Sequence, residues 1–123
     1  MQIRESAEMY LETILVLSKK GDVRSIDIAR AMDFSRPSVS VTVHNLEKEH
    51  YIKINENGTI SLEPAGREIA ERIYERHMLL AELFMGLGVS PEKAQEDACK
   101  VEHDISEETF DAIRRHARDY RSV

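Results

Sequence analysis

Two short runs carry side chains that bind transition metals: Met9-x-x-Glu12 near the start and Cys99-x-x-Glu102-His103 near the end. Residues i, i+3 and i+4 of an α-helix share a face. That spacing lets Cys99, Glu102 and His103 point into one pocket, and lets Met9 and Glu12 do the same from a first helix. Together they offer thiolate, imidazole, thioether and carboxylate ligands. The sulfur atoms favour iron, cobalt, nickel or zinc over manganese, calcium or magnesium. His77 adds an imidazole on an apolar stripe, four residues after Ile73 and three before Leu80. Each residue alone has an ordinary explanation: methionine as core filler, cysteine as a small buried hydrophobe, glutamate on the surface, histidine as a satisfied partly buried polar group. Two runs that each set ligand types on one face make a shared divalent-metal site the stronger reading. Such a site would tie the first helix to the C-terminal half.

The elements that must position these residues are six helices and a hairpin. From Glu5 to Lys20, Tyr10, Ile14 and Leu17, flanked by Leu11 and Leu15, form a helical stripe, and Gly21 behind Lys19-Lys20 is a helix stop. A second helix runs from about Ser25 to Met32, with Ile26, Ile28 and Ala29 on its buried side, and Asp33-Phe34-Ser35 breaks it. Ser35 caps a third helix with Pro37 in its first turn; Val39, Val43 and Leu46 point inward and it ends near His50. Ile52, Ile54, Ile60 and Leu62 then alternate with polar residues around Asn57-Gly58, a strong hairpin signal. A fourth helix spans roughly 64 to 86, carrying Ile69, Ile73, Leu80 and Leu83, and Gly86 and Gly88 end it. Ser90-Pro91 caps a fifth helix to about His103, and Ser106-Glu107-Glu108 starts a sixth reaching about Arg118. The fold class is mainly α: a winged helix-turn-helix over residues 1–63, then an all-α lobe over 64–123.

A helix-turn-helix reads bases with side chains at the start of its second helix. Here those are Ser35, Arg36, Pro37, Ser38, Ser40, Val41 and Thr42. Hydroxyls reach phosphates or base edges, Val41 and Pro37 suit thymine methyls, and Arg36 suits phosphate or guanine. His44, Lys48 and the wing residues Lys53 and Asn57 add backbone contacts. The plainer reading makes Ser35 only an N-cap and Ser38, Ser40 and Thr42 solvent-facing polars. Winged helices also mediate protein contacts.

At 123 residues the chain makes one compact unit or two small lobes sharing a core. No run approaches the 18 apolar residues of a membrane span. The N-terminus lacks an apolar signal core, and a single cysteine excludes an intrachain disulfide and suits a reducing compartment, so a cytoplasmic location is expected. The net charge of −6 runs against nucleic-acid binding taken alone. Its distribution softens that objection: residues 1–62 hold 8 Lys/Arg against 9 Asp/Glu, whereas residues 63–123 hold 9 against 14. The acidity belongs to the half that would gather cations. Two rival classes stand beside the metal-operated DNA binder. A metal-independent winged-helix regulator could respond to a small molecule or to oxidation of Cys99, although a lone thiol has no intrachain resolving partner. An enzyme with a His/Glu/Cys metal site is disfavoured, because no HExxH run, nucleotide loop or nucleophile motif appears.

Several longer segments carry a family likeness. They are Ala7-Glu8-Met9-Tyr10-Leu11-Glu12-Thr13-Ile14, the stretch from Ser35 to Leu46, Leu62-Glu63-Pro64-Ala65-Gly66, Arg76-His77-x-Leu79-Leu80 and Glu102-His103-x-Ile105-Ser106. Over nearly its whole length the chain resembles the diphtheria-toxin-repressor family of iron- and manganese-dependent transcriptional repressors. The resemblance implies that the all-α lobe is a metal-binding and dimerisation domain. It also implies a homodimer that binds a palindromic operator on double-stranded DNA when charged with metal and represses genes of metal homeostasis. Position by position, Met9, Cys99, Glu102 and His103 match the primary site of the iron-responsive branch. The manganese-responsive branch shares Glu12, His77, Glu102 and His103 but has carboxylates where Met9 and Cys99 stand. The iron-type ancillary site is altered: His77 is retained, but its glutamate one turn later is Ala81 and its other histidine is Gln95. A second ion using Glu12, His77 and Glu102 stays open. The expected cofactor is a divalent transition metal, with Fe(II) favoured by the sulfur ligands and Mn(II) admitted. The small β-barrel with which longer members continue is absent from these residues, which gives the short form's architecture. Metal would tie helix one to helices four and five and hold two DNA-reading helices one helical turn, or a multiple of it, apart. Without metal the lobes would sample other separations. Thiolate and imidazole bind only when deprotonated, so the response should weaken as pH drops.

Overall fold

The structure, a computed structural model, describes residues 5–121, with side chains up to Ala117. The first four residues, which belong to the segment read above for a signal core, lie outside the described residues. The elements in order are α1 (Glu5–Ser18), α2 (Ser25–Met32), α3 (Arg36–Lys48), β1 (Ile52–Ile54), β2 (Ile60–Leu62), α4 (Pro64–Gly86), α5 (Pro91–Val101) and α6 (Glu107–Arg121). The chain forms two compact units, residues 1–72 and 73–123, and the break falls inside α4. Among the described residues no helix is long and apolar enough to cross a membrane.

In the first unit, α1 packs on α2 and against β2, α2 packs on α3, and α3 packs on β1. The apolar period that predicts these helices is also what they bury: Tyr10, Leu11, Ile14 and Leu15 from α1, Ile28 and Ala29 from α2, and Val39, Val43 and Leu46 from α3. Leu17 and Ile26 are only half-buried, at the margin of that core. Helix α1 stops at Ser18, two residues before the expected end, where the Ser18 hydroxyl donates to the Leu15 carbonyl at 2.7 Å. Lys19 and Lys20 therefore lie in the turn beyond the helix. Asp33 ends α2 in the left-handed region, with φ 56, and its N–H donates to the Ala29 carbonyl. Short polar side chains tolerate this conformation best after glycine. Ser35 caps α3 by accepting from the Ser38 N–H, and a proline fills the first turn.

The antiparallel hairpin pairs Ile52 with Leu62 and Ile54 with Ile60. Its turn differs from the two-residue form that Asn57-Gly58 suggests. That form needs positive φ at both central residues, yet among the described non-glycine residues only Asp33 and His50 have positive φ. Instead the Gly58 N–H donates to the Asn55 carbonyl and the Asn55 N–H to the Thr59 carbonyl. The loop is thus the three residues Glu56, Asn57 and Gly58, with Gly58 taking the left-handed position at φ +85. Two side chains, one from α3 and one from the residue before α2, hold this wing. Glu47 of α3 accepts from the Ile54 N–H at 2.8 Å, and Arg24 Nη1 donates to the Asn57 carbonyl at the tip.

In the second unit Leu80, Ala81 and Ala98 form a buried cluster against which Phe84, Val101, Ile105 and Ile113 pack, and Phe110 is buried as well. Ser90 caps α5 with proline in its first turn. Helix α5 ends at Val101 rather than near His103. Glu102 is its C-cap, still in right-handed geometry, and His103 lies in the turn that follows. The single helical face expected for Cys99, Glu102 and His103 therefore reaches only as far as Glu102, and a backbone turn delivers His103.

Gly66, in the first turn of α4, meets the Tyr51 backbone: a Cβ there would sit 2.0 Å from the Tyr51 carbonyl oxygen. Helix propensity alone would make Gly66→Ala stabilising by about 1 kcal/mol. The clash reverses the sign, since overpacking costs about 1–3 kcal/mol. Thermal denaturation of Gly66→Ala should show a lowered Tm, and a raised Tm would contradict the close approach. The wing pin is testable by a double-mutant cycle. A Cβ on Gly58 would lie 2.8 Å from Arg24 Nη1, so Gly58→Ala displaces Arg24 besides straining φ. The strain occurs in both backgrounds and cancels in the cycle. Gly58→Ala and Arg24→Ala should then couple by about 0.5–1 kcal/mol in stability, and simple additivity would remove the pin.

Candidate metal centre and nucleic-acid face

The second unit brings His77, Glu102 and His103 together. Glu102 is fully buried. Its Oε2 lies 2.9 Å from His77 Nδ1 and its Oε1 lies 3.3 Å from His103 Nε2. The His103 side chain is 1% exposed and that of His77 19%, so a single narrow side of the cluster faces solvent. A carboxylate removed this far from water needs charged or strongly polar partners, because an ion without them loses several kcal/mol of solvation. Two imidazoles supply them. The same three side chains in their deprotonated forms present two nitrogens and a carboxylate, which is donor chemistry that a divalent transition ion takes. The residues present fit such an ion.

Two long separations build this arrangement. His77 comes from α4 and Glu102 from the end of α5, 25 positions later. His77 Nδ1–H donates to Glu102, and His77 Nε2 lies within hydrogen-bonding distance of the Gln95 side-chain amide. The Gln95 amide can present either its oxygen or its nitrogen there. Gln95 thus engages the second nitrogen of His77 at the position where the family resemblance puts an ancillary-site histidine. Ala81, the other altered position, is 1% exposed in the apolar cluster and offers no ligand atom. Cys99 is half-buried one turn before Glu102. In the first unit Met9 and Glu12 are half-buried on α1, one turn apart. The neighbouring Glu8 accepts from Arg72 at 3.4 Å.

Sequence reasoning missed Arg76, whose buried guanidinium donates to the Glu102 and Ile105 carbonyls at 3.1 and 3.0 Å. A signal existed: Arg76 stands three residues after Ile73 and four before Leu80, so it shares the buried stripe with His77. Arg114, whose guanidinium lies 4.8 Å from the Phe110 ring centroid, pairs with Glu75 and Asp111, and the hydrogen bond to Glu75 holds its guanidinium pKa further above the ordinary value.

In the first unit the exposed face of α3 carries Arg36, Pro37, Ser38, Val41, His44 and Lys48. Val41 is 62% exposed, an unusual position for a large apolar side chain unless something covers it. Ser40 and Thr42 are half-buried. Ser35 is committed to its cap, with its hydroxyl also 2.9 Å from that of Ser38. His44 Nδ1–H donates to the Ser40 carbonyl at 2.7 Å, which fixes the ring against its own helix. Asn45, also exposed and four residues after Val41, was not singled out from the sequence. Its spacing from Val41 and Lys48 (i, i+4, i+7) places it on the same stripe, and an amide there is suited to adenine.

Comparison with known proteins agrees with both halves. Residues 2–59 match the description "Iron dependent repressor, N-terminal DNA binding domain" and residues 63–121 match "Iron dependent repressor, metal binding and dimerisation domain". The transcriptional regulator MntR of Salmonella typhimurium is 34% identical over 111 residues, covering 89% of this chain and 71% of that protein. The HTH-type transcriptional regulator MntR of Geobacillus kaustophilus is 36% identical over 109 residues, covering 88% and 77%. The solved manganese regulator SloR superposes with a TM-score of 0.80 at 25% identity, over 96% of this chain and 55% of SloR. IdeR of T. acidophilum gives 0.74 at 26% identity, over 94% and 55%. This chain therefore spans about half the length of those solved structures. With the winged helix, the buried Glu102 between two imidazoles and these matches in hand, the chain belongs to the iron-dependent repressor family of metal-dependent transcriptional regulators.

Proposed function

We propose that this chain senses a divalent transition metal through Glu102, His103 and His77 and regulates transcription by presenting α3 and the wing to double-stranded operator DNA. The observation that carries the reading is the fully buried Glu102 carboxylate, held between two imidazoles in the half that matches a metal-binding domain. The family resemblance extends the ligand set to Met9, Glu12 and Cys99. Glu102 and His103 hold the C-terminal end of α5 to His77 on α4, and Cys99 adds a thiolate one turn earlier. When bound, the ion would add positive charge beside the buried Glu102 carboxylate. A homodimer through the C-terminal helices presents two copies of α3, which suits a palindromic operator with half-sites one helical turn, or a multiple of it, apart. The expected action is repression of metal-homeostasis genes in the cytoplasm.

Among the solved structures that match, SloR is named a manganese regulator. The sulfur donors of Cys99 and Met9 lean the other way, toward Fe(II). We favour Fe(II), with Mn(II) as the second ion. Cys99→Ser should weaken Fe(II) and Co(II) binding more than Mn(II) binding in calorimetric titrations, and equal losses for all three would remove the role of sulfur. Substituting Glu102 and His103 together by alanine should abolish metal-dependent operator binding in a mobility-shift assay, and retained metal dependence would reject the ligand assignment. On the DNA side, Lys48→Ala should weaken binding to all sequences alike and reduce the slope of log K against log salt by about 1. An unchanged slope would take Lys48 off the phosphate backbone.

A further inference from the structure

We infer that Arg76 is a positioning residue for the metal centre, fixing the main chain of Glu102 while its neighbour His77 fixes the side chain. This rests on the reading of Glu102, His103 and His77 as ligands. Arg76 and His77 are consecutive on α4, and both reach Glu102. Arg76 Nη1 donates to the Glu102 carbonyl at 3.1 Å, and His77 Nδ1 donates to the Glu102 carboxylate at 2.9 Å. The same Nη1 also donates to the Ile105 carbonyl at 3.0 Å, so one guanidinium nitrogen bridges the two ends of the turn that contains His103. Residues 102 to 105 lie beyond the end of α5, where the Glu102 N–H still donates to the Ala98 carbonyl and the Asp104 N–H to the Val101 carbonyl, while the Glu102 and Ile105 carbonyls accept from Arg76. Without Arg76 the turn that delivers His103 loses its two long-range anchors.

The guanidinium is itself held in place. Arg76 is 6% exposed, its Nη2 pairs with the Glu107 carboxylate, and its plane lies over the Phe110 ring at 5.2 Å to the centroid. A lysine in its place keeps the charge but cannot bridge two carbonyls and a carboxylate with one rigid fork. The charge argument and the positioning argument predict opposite signs. A fixed cation near a metal ion repels it, so if charge were what mattered, removing Arg76 would tighten metal binding. If positioning is what matters, removing it loosens binding, in line with the losses of about 10–100-fold that follow loss of groups behind a metal ligand.

The test uses the full chain titrated with Co(II), followed by calorimetry and by the visible absorption of the bound ion. Metal-free amide exchange over residues 102–106 is measured in parallel. Arg76→Lys and Arg76→Met should both bind Co(II) about 10–100-fold more weakly than wild type, with altered absorption bands, and their metal-free amides at 102–106 should exchange faster. Should neither variant fold, Glu107→Ala decides, since it keeps Arg76 and removes an exposed anchor of its guanidinium: a loss of about threefold supports the inference and an unchanged affinity overturns it. Folded Arg76 variants with wild-type affinity and absorption, or a tightened Arg76→Met, overturn the inference while leaving the ligand assignment standing. A wild-type chain that binds no Co(II) overturns the ligand assignment and this inference with it.

Discussion

A fully buried carboxylate is the constraint around which the C-terminal unit is arranged. Glu102 sits at 0% exposure, and an ionised side chain at that depth is stable only if its surroundings replace the water it has lost. His77 and His103 do this for the side chain, and Arg76 does it for the main chain at the same residue. These groups come from two places: Arg76 and His77 from the middle of α4, and His103 from the turn after α5. An apolar side chain at 102 would leave His77 and His103 without the carboxylate they now share, whereas the main-chain acceptor of Arg76 would remain. The arrangement makes most sense as a site whose negative charge is matched by an arriving cation, since a purely structural core at this position would be simpler to build from apolar residues.

The N-terminal unit solves a different problem, the placement of a short, solvent-facing reading surface. A two-stranded hairpin is marginally stable by itself. Here it is held at Ile54, beside the loop, by Glu47 from α3 and at its tip by Arg24, the residue that precedes α2. Helix α3 and the wing therefore move together, and the exposed stripe through Val41, Asn45 and Lys48 keeps a fixed relation to the hairpin. A rigid module of this kind allows a regulator to work by changing the separation of two such surfaces without remodelling either one.

Much of this was legible in the sequence because it is written locally. Ser35 and Ser90 each precede a proline in the first turn of a helix, and both prove to be side-chain caps. The period of Tyr10, Ile14, Val39, Val43 and Leu46 identifies the buried faces without reference to any partner. What was not legible depends on the backbone at chain reversals or on distant partners. The end of α5 at Val101 rather than near His103 follows from the turn that carries His103 toward Glu102. Asn57 keeps a negative φ because the wing uses a three-residue loop and places Gly58 in the left-handed position. Arg76 meets its acceptors 26, 29 and 31 positions away, and Gln95 meets His77 across 18, separations that no local pattern encodes. For the candidate site, ligand types and their approximate spacing were readable, whereas the groups that hold the ligands still were not.

The most direct test of the central claim is metal-edge X-ray absorption on the chain loaded with Fe(II), Co(II) or Mn(II). Bound to Glu102, His103 and His77, the ion should show the multiple-scattering signature of imidazole, and this signature should diminish when His103 or His77 is replaced. A first coordination shell of oxygen alone, unchanged by either replacement, would contradict the account.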